Sequence, residues 1–140
     1  YDRSFAYLFQ EAYLELLNDV EGIEVHGNPD GRYNSNFWLT TITIDPKMRF
    51  RGQENVGSFL TDCQPNPNVE ALRVILDQAG VEARPLWKPM HKQPVYKDAP
   101  AYVNGVSESL FKTGMCLPSG PYVSDDDVRY IVGTIKEEIS

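Results

Sequence analysis

Between Arg84 and Tyr96 the chain reads R-P-L-W-K-P-M-H-K-Q-P-V-Y, which sets three prolines, a Trp, a Tyr, a His, a Gln and three cations side by side. Proline fixes φ and pushes the residue before it towards extended backbone, so Arg84, Lys88 and Gln93 are expected on a stiffened, mostly extended wall. The groups offered by Arg84, Trp87, Lys88, His91 and Gln93 are guanidinium, indole, ammonium, imidazole and amide. They suit an anionic, polyhydroxylated or aromatic ligand, with Arg able to hold a phosphate through two bonds and Trp able to stack. The competing account is packing: His91 and Trp87 could fill an interface between domains.

Other chemistry-bearing residues have plainer readings. Asn36, ahead of the Phe37-Trp38-Leu39 run, reads most economically as a turn-forming Asn. His26 follows a short strand signal with no second ligand near it in sequence, which reads as a surface histidine. Asp125, Asp126 and Asp127 point in different directions on a helix and cannot converge on one ion, so they read as stabilisers of a helix N-terminus. Cys63 and Cys116 are too few and too far apart for a disulfide framework or a Cys-rich zinc site, leaving reduced thiols in a core or loop.

Composition narrows the class of partner. The 140 residues are 41% apolar and 24% charged, with a formal net charge of −7. That is the composition of a folded domain large enough to bury a core of its own. A nucleic-acid polymer is a poor partner, because phosphate-backbone binding needs a continuous basic face and the cations here are scattered outside Lys47, Arg49, Arg51 and the Arg84–Lys97 stretch. No apolar run has membrane-spanning length and no signal peptide stands out, so a cytoplasmic location is expected. The first residue is Tyr, and a helical pattern is already running by Phe5, which reads as a piece of a longer protein.

The elements that must position the wall follow from periodicity. Phe5, Leu8, Phe9, Ala12, Tyr13, Leu16, Leu17 and Val20 predict an amphipathic helix over about Asp2 to Asp19. A short strand over Ile23–His26 is followed by a dense turn at 27–31. Phe37 to Ile44 predicts the clearest strand, with Trp38, Ile42 and Ile44 on one face and its aromatic start covered on both sides. Residues 47–66 read as a surface insertion with at most one short helix, Val56, Phe59 and Leu60 being its weak apolar set. Asn68 is expected to cap a helix with Val69, Leu72, Ile75, Leu76 and Ala79 buried, ended by Gly80. A strand over Val81–Arg84 then leads into the wall. Ser107 is expected to cap a short helix, with Val106 and Phe111 as a hydrophobic staple. Cys116-Leu117-Pro118 reads as an edge strand, because an internal proline excludes a central one. Ser124 begins a last helix that buries Val128, Ile131, Val132, Ile135 and Ile139. Pro118-Ser119-Gly120 reads as a rigid approach to that helix, with a turn near the same binding wall as the weaker alternative, and Tyr96 and Tyr102 read as core or interface aromatics.

Three motifs in order, Asn36-Phe37-Trp38-Leu39, the Arg84–Tyr96 stretch and Cys116-Leu117-Pro118-Ser119-Gly120, resemble the small C-terminal domain of DegT/StrS-type, pyridoxal-phosphate-dependent nucleotide-sugar aminotransferases. The closest likeness is to the branch that aminates C4 of UDP-linked 4-keto-N-acetyl sugars on the way to bacillosamine-like sugars. The resemblance implies that residues 1–140 are one C-terminal domain that closes a cleft against an N-terminal pyridoxal-phosphate domain lying outside this chain. The cofactor lysine, its acid partner and the phosphate cup belong to that other domain, so the chain alone is expected not to transaminate. The resemblance further implies glutamate as amino donor, a nucleotide-sugar substrate and a homodimer. His91 becomes the foremost ligand contact, because it matches the family's Pro-Met-His element; Arg84, Trp87, Lys88, Gln93 and Asn36 follow. The segment at 47–66 departs from the family's shorter connection.

The fold expected from this order is a two-layer α/β domain, three or four short mixed or antiparallel strands packed on one face by the first, middle and last helices. A stand-alone binding module without catalysis is the competing function. A hydrolase using His91 as base lacks an assignable nucleophile and acid.

Overall fold

Four helices and a four-stranded antiparallel sheet make up the computed structural model, which describes residues 3–57 and 63–140. In chain order the elements are α1 (Arg3–Leu17), β1 (Ile23–His26), β2 (Thr40–Ile44), α2 (Pro67–Gln78), β3 (Arg84–Pro85), α3 (Val106–Thr113), β4 (Gly114–Leu117) and α4 (Asp125–Glu137). The strands lie in the order β1-β2-β4-β3, so the α/β class and the antiparallel sheet agree with the reading from sequence. The Phe5 side chain, Phe59 and Leu60 fall outside the described part.

Alternation along the strands sets the two faces. Thr40, Ile42 and Ile44 of β2 are buried while Thr41 and Thr43 between them are half-buried, the period of two that a one-sided core demands. Register sets Ile42 beside both Val25 and Met115, and Thr40 beside Leu117. On the covered face these residues meet Phe9, Tyr13 and Leu17 of α1, Val69, Leu72 and Leu76 of α2, and Val128, Ile131, Val132 and Ile135 of α4. Each helix presents its apolar residues at three- and four-residue spacings, which line up on one stripe. Fully burying each such side chain contributes roughly 1.5–3 kcal/mol. Tyr13 carries the one phenol in this layer; its hydroxyl donates to the Pro118 carbonyl at 2.9 Å, and burial, aided by the negative charge of Asp127, pushes its pKa far above the usual tyrosine value.

Helix ends follow local chemistry. Ser124 caps α4: its Oγ accepts from Asp127 N–H at 3.2 Å while Ser124 N–H donates to Asp127 Oδ2 at 2.8 Å. Asp126 pairs with Arg129 at 2.9 Å. Two other caps differ from expectation. Asn66, not Asn68, precedes α2, because Pro67 is pre-shaped for the first helical position. Asn68 is instead buried, and its amide donates to the carbonyls of Asp45 (2.9 Å) and Met48 (3.2 Å). Likewise Gly105, at φ 85°, precedes α3, so Ser107 lies inside the helix and exposed Val106 staples nothing onto buried Phe111.

The strands differ from expectation in three places. First, β2 begins at Thr40, three residues later than Phe37. Phe37 has φ 51°, a left-handed conformation that no strand continues through, and the turn is held by Ser35 Oγ accepting from Phe37 N–H (3.0 Å) and Asn36 Oδ1 accepting from Trp38 N–H (3.1 Å). Trp38 is therefore 60% exposed rather than covered on both sides. Second, β4 is central: it ends at Leu117, so Pro118 falls just beyond the ladder and withdraws no hydrogen bond from it. Third, β3 holds only Arg84 and Pro85, although Val81 and Ala83 before it are buried in the core.

The 47–66 segment contains a 3₁₀ turn at Gln53–Asn55. Phe50, absent from the apolar set read from sequence, is buried in the core and bridges Ile139. Arg51 N–H donates to the Glu138 carbonyl and Ser140 N–H to the Arg49 carbonyl, so this segment and the chain beyond α4 are laced together.

Candidate functional site

The proline-rich stretch leaves the sheet at β3 and crosses towards α3. Its backbone is less uniformly extended than its three prolines suggest. Gln93 is extended (φ −82°, ψ 135°), but Met90–Lys92 and Pro94–Tyr96 each form a 3₁₀ turn. A proline is compatible with the first position of such a turn as well as with extended chain. Tyr96 and Tyr102 are both exposed, Tyr102 fully, so neither is a core aromatic.

Beside β3 runs a groove of about 1060 Å³, bounded by Arg73 and Asp77 of α2, the Gly80–Trp87 connection, Phe111, and Cys116–Ser119, with Trp38 and Leu39 at one end. Trp38 and Trp87 face each other across that end, ring centroids 6.1 Å apart and tilted by 36°. Both indoles are exposed, Trp87 by 66%, an unusual state for two of the largest apolar side chains. Ser119 ties this end to the sheet. Its buried hydroxyl accepts from Thr40 N–H and donates to the Trp38 carbonyl, each at 3.2 Å, so the run that carries Trp38 is fastened to the end of β4. The sequence reading of Pro118-Ser119-Gly120 as a rigid approach to α4 missed this bond, which joins residues 81 positions apart.

The two arginines along the groove are already matched. Arg84 pairs with Glu82 through Nε at 2.8 Å and through its terminal nitrogen, and both side chains are largely exposed. Arg73 forms a two-nitrogen pair with Glu70, and that contact raises its pKa. The Cys116 thiol at the floor is pushed up by burial, which keeps it protonated and unreactive.

The residues singled out from sequence divide into two groups. Arg84 and Trp87 line the groove. His91, Lys88 and Gln93 do not. His91, its side chain 18% exposed, places Nε2 3.0 Å from Glu108 Oε1 on α3, and Lys92 Nζ lies 3.5 Å from the same oxygen. Among the described residues nothing engages the His91 Nδ1. The bond to His91, followed by the charge of Lys92, holds the Glu108 carboxyl below the usual glutamate range. Gln93 donates its amide to the Lys88 carbonyl at 3.0 Å, bracing the turn between them. Asn36 lies outside the groove lining and is exposed, its side chain engaged in the turn before Trp38. His26, away from the groove, shares a 2.8 Å hydrogen bond with the Thr43 hydroxyl.

A pyridoxal phosphate group would need a lysine facing a cleft, an acid for its ring nitrogen and backbone donors for its phosphate. No lysine lines the groove, and Lys92 and Lys136 are paired with Glu108 and Asp19. Among the described residues, the lining of this groove does not offer that set. Nor do they contain a group of three or more His, Cys, Asp or Glu able to hold a metal ion. No described helix is long and apolar enough to cross a membrane.

Residues 8–136 match the model of the DegT/DnrJ/EryC1/StrS aminotransferase family. A Bacillus subtilis (strain 168) protein named as a pyridoxal phosphate-dependent aminotransferase, EpsN, is 37% identical over 102 residues, covering 70% of this chain and 21% of EpsN. A GDP-perosamine synthase from Vibrio cholerae is 28% identical over 115 residues, covering 81% of this chain and 26% of the synthase. Among solved structures, a DegT DnrJ EryC1 StrS aminotransferase from Brucella abortus superposes with a TM-score of 0.69 at 26% identity, covering 96% of this chain and 30% of that one. The chain thus spans only 21% to 30% of the length of these proteins.

Proposed function

We propose a function from one premise: this chain belongs to the DegT/DnrJ/EryC1/StrS aminotransferase family, and its match extends over residues 8–136. On that premise, residues 1–140 serve as the C-terminal small domain of a pyridoxal-phosphate-dependent enzyme that moves an amino group from an amino acid, glutamate by family likeness, to a nucleotide-linked keto sugar. The relatives, an aminotransferase and a GDP-perosamine synthase, support amination of a nucleotide sugar. Within that class we favour a UDP-linked 4-keto-N-acetyl sugar, destined for surface or capsular polysaccharide, and a cytoplasmic homodimer.

The cofactor, which supplies the carbonyl-to-amine exchange, sits in this reading on an N-terminal domain outside the chain. What the chain itself contributes is a wall. The Trp38–Trp87 pair offers a stacking surface for a base or sugar face. Arg84 offers a phosphate the two-pronged contact it now makes with Glu82, so a diphosphate binds by displacing that carboxylate. The unengaged Nδ1 of His91 is left for a sugar hydroxyl or acetamido group, with Lys88 as a further cation, while Gln93 and Asn36 act through the turns they brace. The exposed apolar groups on this side, Met90 and Val95 among them, are where the cofactor domain would rest.

The test uses the full-length protein that carries this chain, supplied with pyridoxal phosphate, L-glutamate and a UDP-4-keto-N-acetyl sugar. Mass spectrometry should find the nucleotide amino sugar together with 2-oxoglutarate; a full-length reading frame with no cofactor lysine ahead of Tyr1 overturns the assignment. A stand-alone binding module is the second reading, favoured by the complete core within the chain. Calorimetric titration of the 140-residue chain with UDP-N-acetylglucosamine separates the two: heat supports the module, and its absence leaves only the enzyme domain.

A further inference from the structure

The segment that carries Trp87 is attached to the rest of the molecule at two points, one on each side of the indole. On the near side, Leu86 N–H donates to the Gly114 carbonyl at 3.3 Å, and the Leu86 side chain occupies the space where a Cβ on Gly114 would stand. On the far side, His91 and Lys92 both converge on one carboxylate, Glu108 of α3, at 3.0 and 3.5 Å. All three side chains there are two-thirds or more buried. Between the anchors Pro89 is buried and the Gln93 amide closes on the Lys88 carbonyl, so the loop has little slack. The mate of Trp87, Trp38, is fixed separately through Ser119.

From this geometry we propose that Glu108 is the positioning residue of the groove's aromatic wall: by gripping His91 and Lys92 together it holds the Leu86–Lys92 segment on α3, and so holds the Trp87 indole opposite Trp38. Glu108 is not itself among the residues lining the groove, so it acts through the turn. It also commits His91: in either protonation state, Nε2 carries the proton donated to Glu108, which leaves Nδ1 as the ring atom open to a ligand. The functional weight of this inference rests on the proposed substrate wall, but its physical content does not.

Two features make the test clean. The chain has only two tryptophans, and they form the pair; it has only two histidines, and His26 is bonded to Thr43 on another part of the sheet. Circular dichroism of the 140-residue chain should show an exciton couplet from the two indoles, abolished in W38F or W87F. In E108A the couplet should fall towards that abolished level, while E108D, which keeps the carboxylate, should restore part of it. In parallel, ¹⁵N-edited NMR should show a slowly exchanging Nε2–H for His91 that is lost in E108A, with the His26 ring unmoved. If E108A loses its helical signal, H91A removes the same bond from the other side and is read instead. A couplet unchanged in the folded variant, or a His91 Nε2–H already in fast exchange in the parent chain, overturns the proposal. No substrate is involved, so this result stands or falls separately from the aminotransferase assignment.

Discussion

The covered face of the sheet and the groove beside β3 are built on opposite terms. On the covered face, Ile42, Met115, Leu72 and Ile135 are fully buried and the polar atoms among them are few: the Tyr13 hydroxyl bonds to Pro118, while the buried Thr40 hydroxyl has no partner among the described residues. Along the groove, two tryptophans stand exposed and Arg84 reaches a nearby carboxylate, Glu82, that water could replace. One region supplies stability; the other holds apolar surface and hydrogen-bonding capacity in reserve. The lesson is that this small domain separates the two tasks in space, so substitutions can address them one at a time.

The strongest way to break the contrast is to cut into the covered face. Leu72→Ala should cost about 2–5 kcal/mol, from lost burial plus the cavity left behind, measured by urea denaturation. Next comes the seam between the two regions. Gly114→Ala sets a methyl group against the Leu86 side chain and 2.6 Å from the Leu110 carbonyl, and should cost about 1–3 kcal/mol while also disturbing the Trp87 couplet. A smaller loss, about 1 kcal/mol, is expected for Ser124→Ala at neutral pH, where the cap of α4 is removed. At the groove itself Trp87→Ala should change stability by no more than about 0.5 kcal/mol. On the proposed function, the same substitution in the full-length protein should weaken nucleotide-sugar binding by about tenfold or more, the scale of one lost aromatic stack, read by calorimetry. A large stability loss in W87A would erase the distinction between the regions.

Acid and alkali sharpen it from another side. Asp127, Asp19, Asp30 and Glu108 all have carboxyls held below their ordinary range, by hydrogen bonds from Ser124, Lys136, Arg32 and His91 respectively. Because their folded values are depressed, their contribution is complete above the unfolded carboxyl range near pH 4 and is lost as pH falls through the folded values. Ser124→Ala should therefore flatten part of the acid limb of a stability–pH curve. Tyr13 runs the other way: its raised value means a contribution complete below the unfolded tyrosine range near pH 10 and lost at higher pH. Tyr13→Phe should weaken the alkaline limb and leave the acid limb alone.

Much of the covered face was legible in the sequence because period and burial are the same signal: α1, α2 and α4 each announce their buried stripe at three- and four-residue spacings. The Ser124 cap was legible for a similar reason, since both halves of the capping box lie within one turn. The Phe-Trp-Leu run was misread as strand because aromatic content scores as β while the deciding fact is the sign of φ at Phe37, whereas Asn36 does form the turn expected of it. Cys116–Leu117 was demoted to an edge by a proline that lies one residue too late to matter. Phe50 gave no periodic neighbours, so its burial depended on Ile139, which no local window contains. At the groove the candidate residues could be named from their motif, but the grip of Glu108 on His91 spans 17 positions with no shared pattern, and only the fold brings them together.

The lacing of residues 49–51 to residues 138–140 bears on how the molecule comes into being. Phe50 and the residue it bridges are far apart in sequence, so its place in the interior cannot be completed until synthesis has passed Ile139. Contacts of such wide separation form late and slow folding. The nascent intermediate should therefore keep a phenylalanine open to chaperones until the residues beyond α4 have been made.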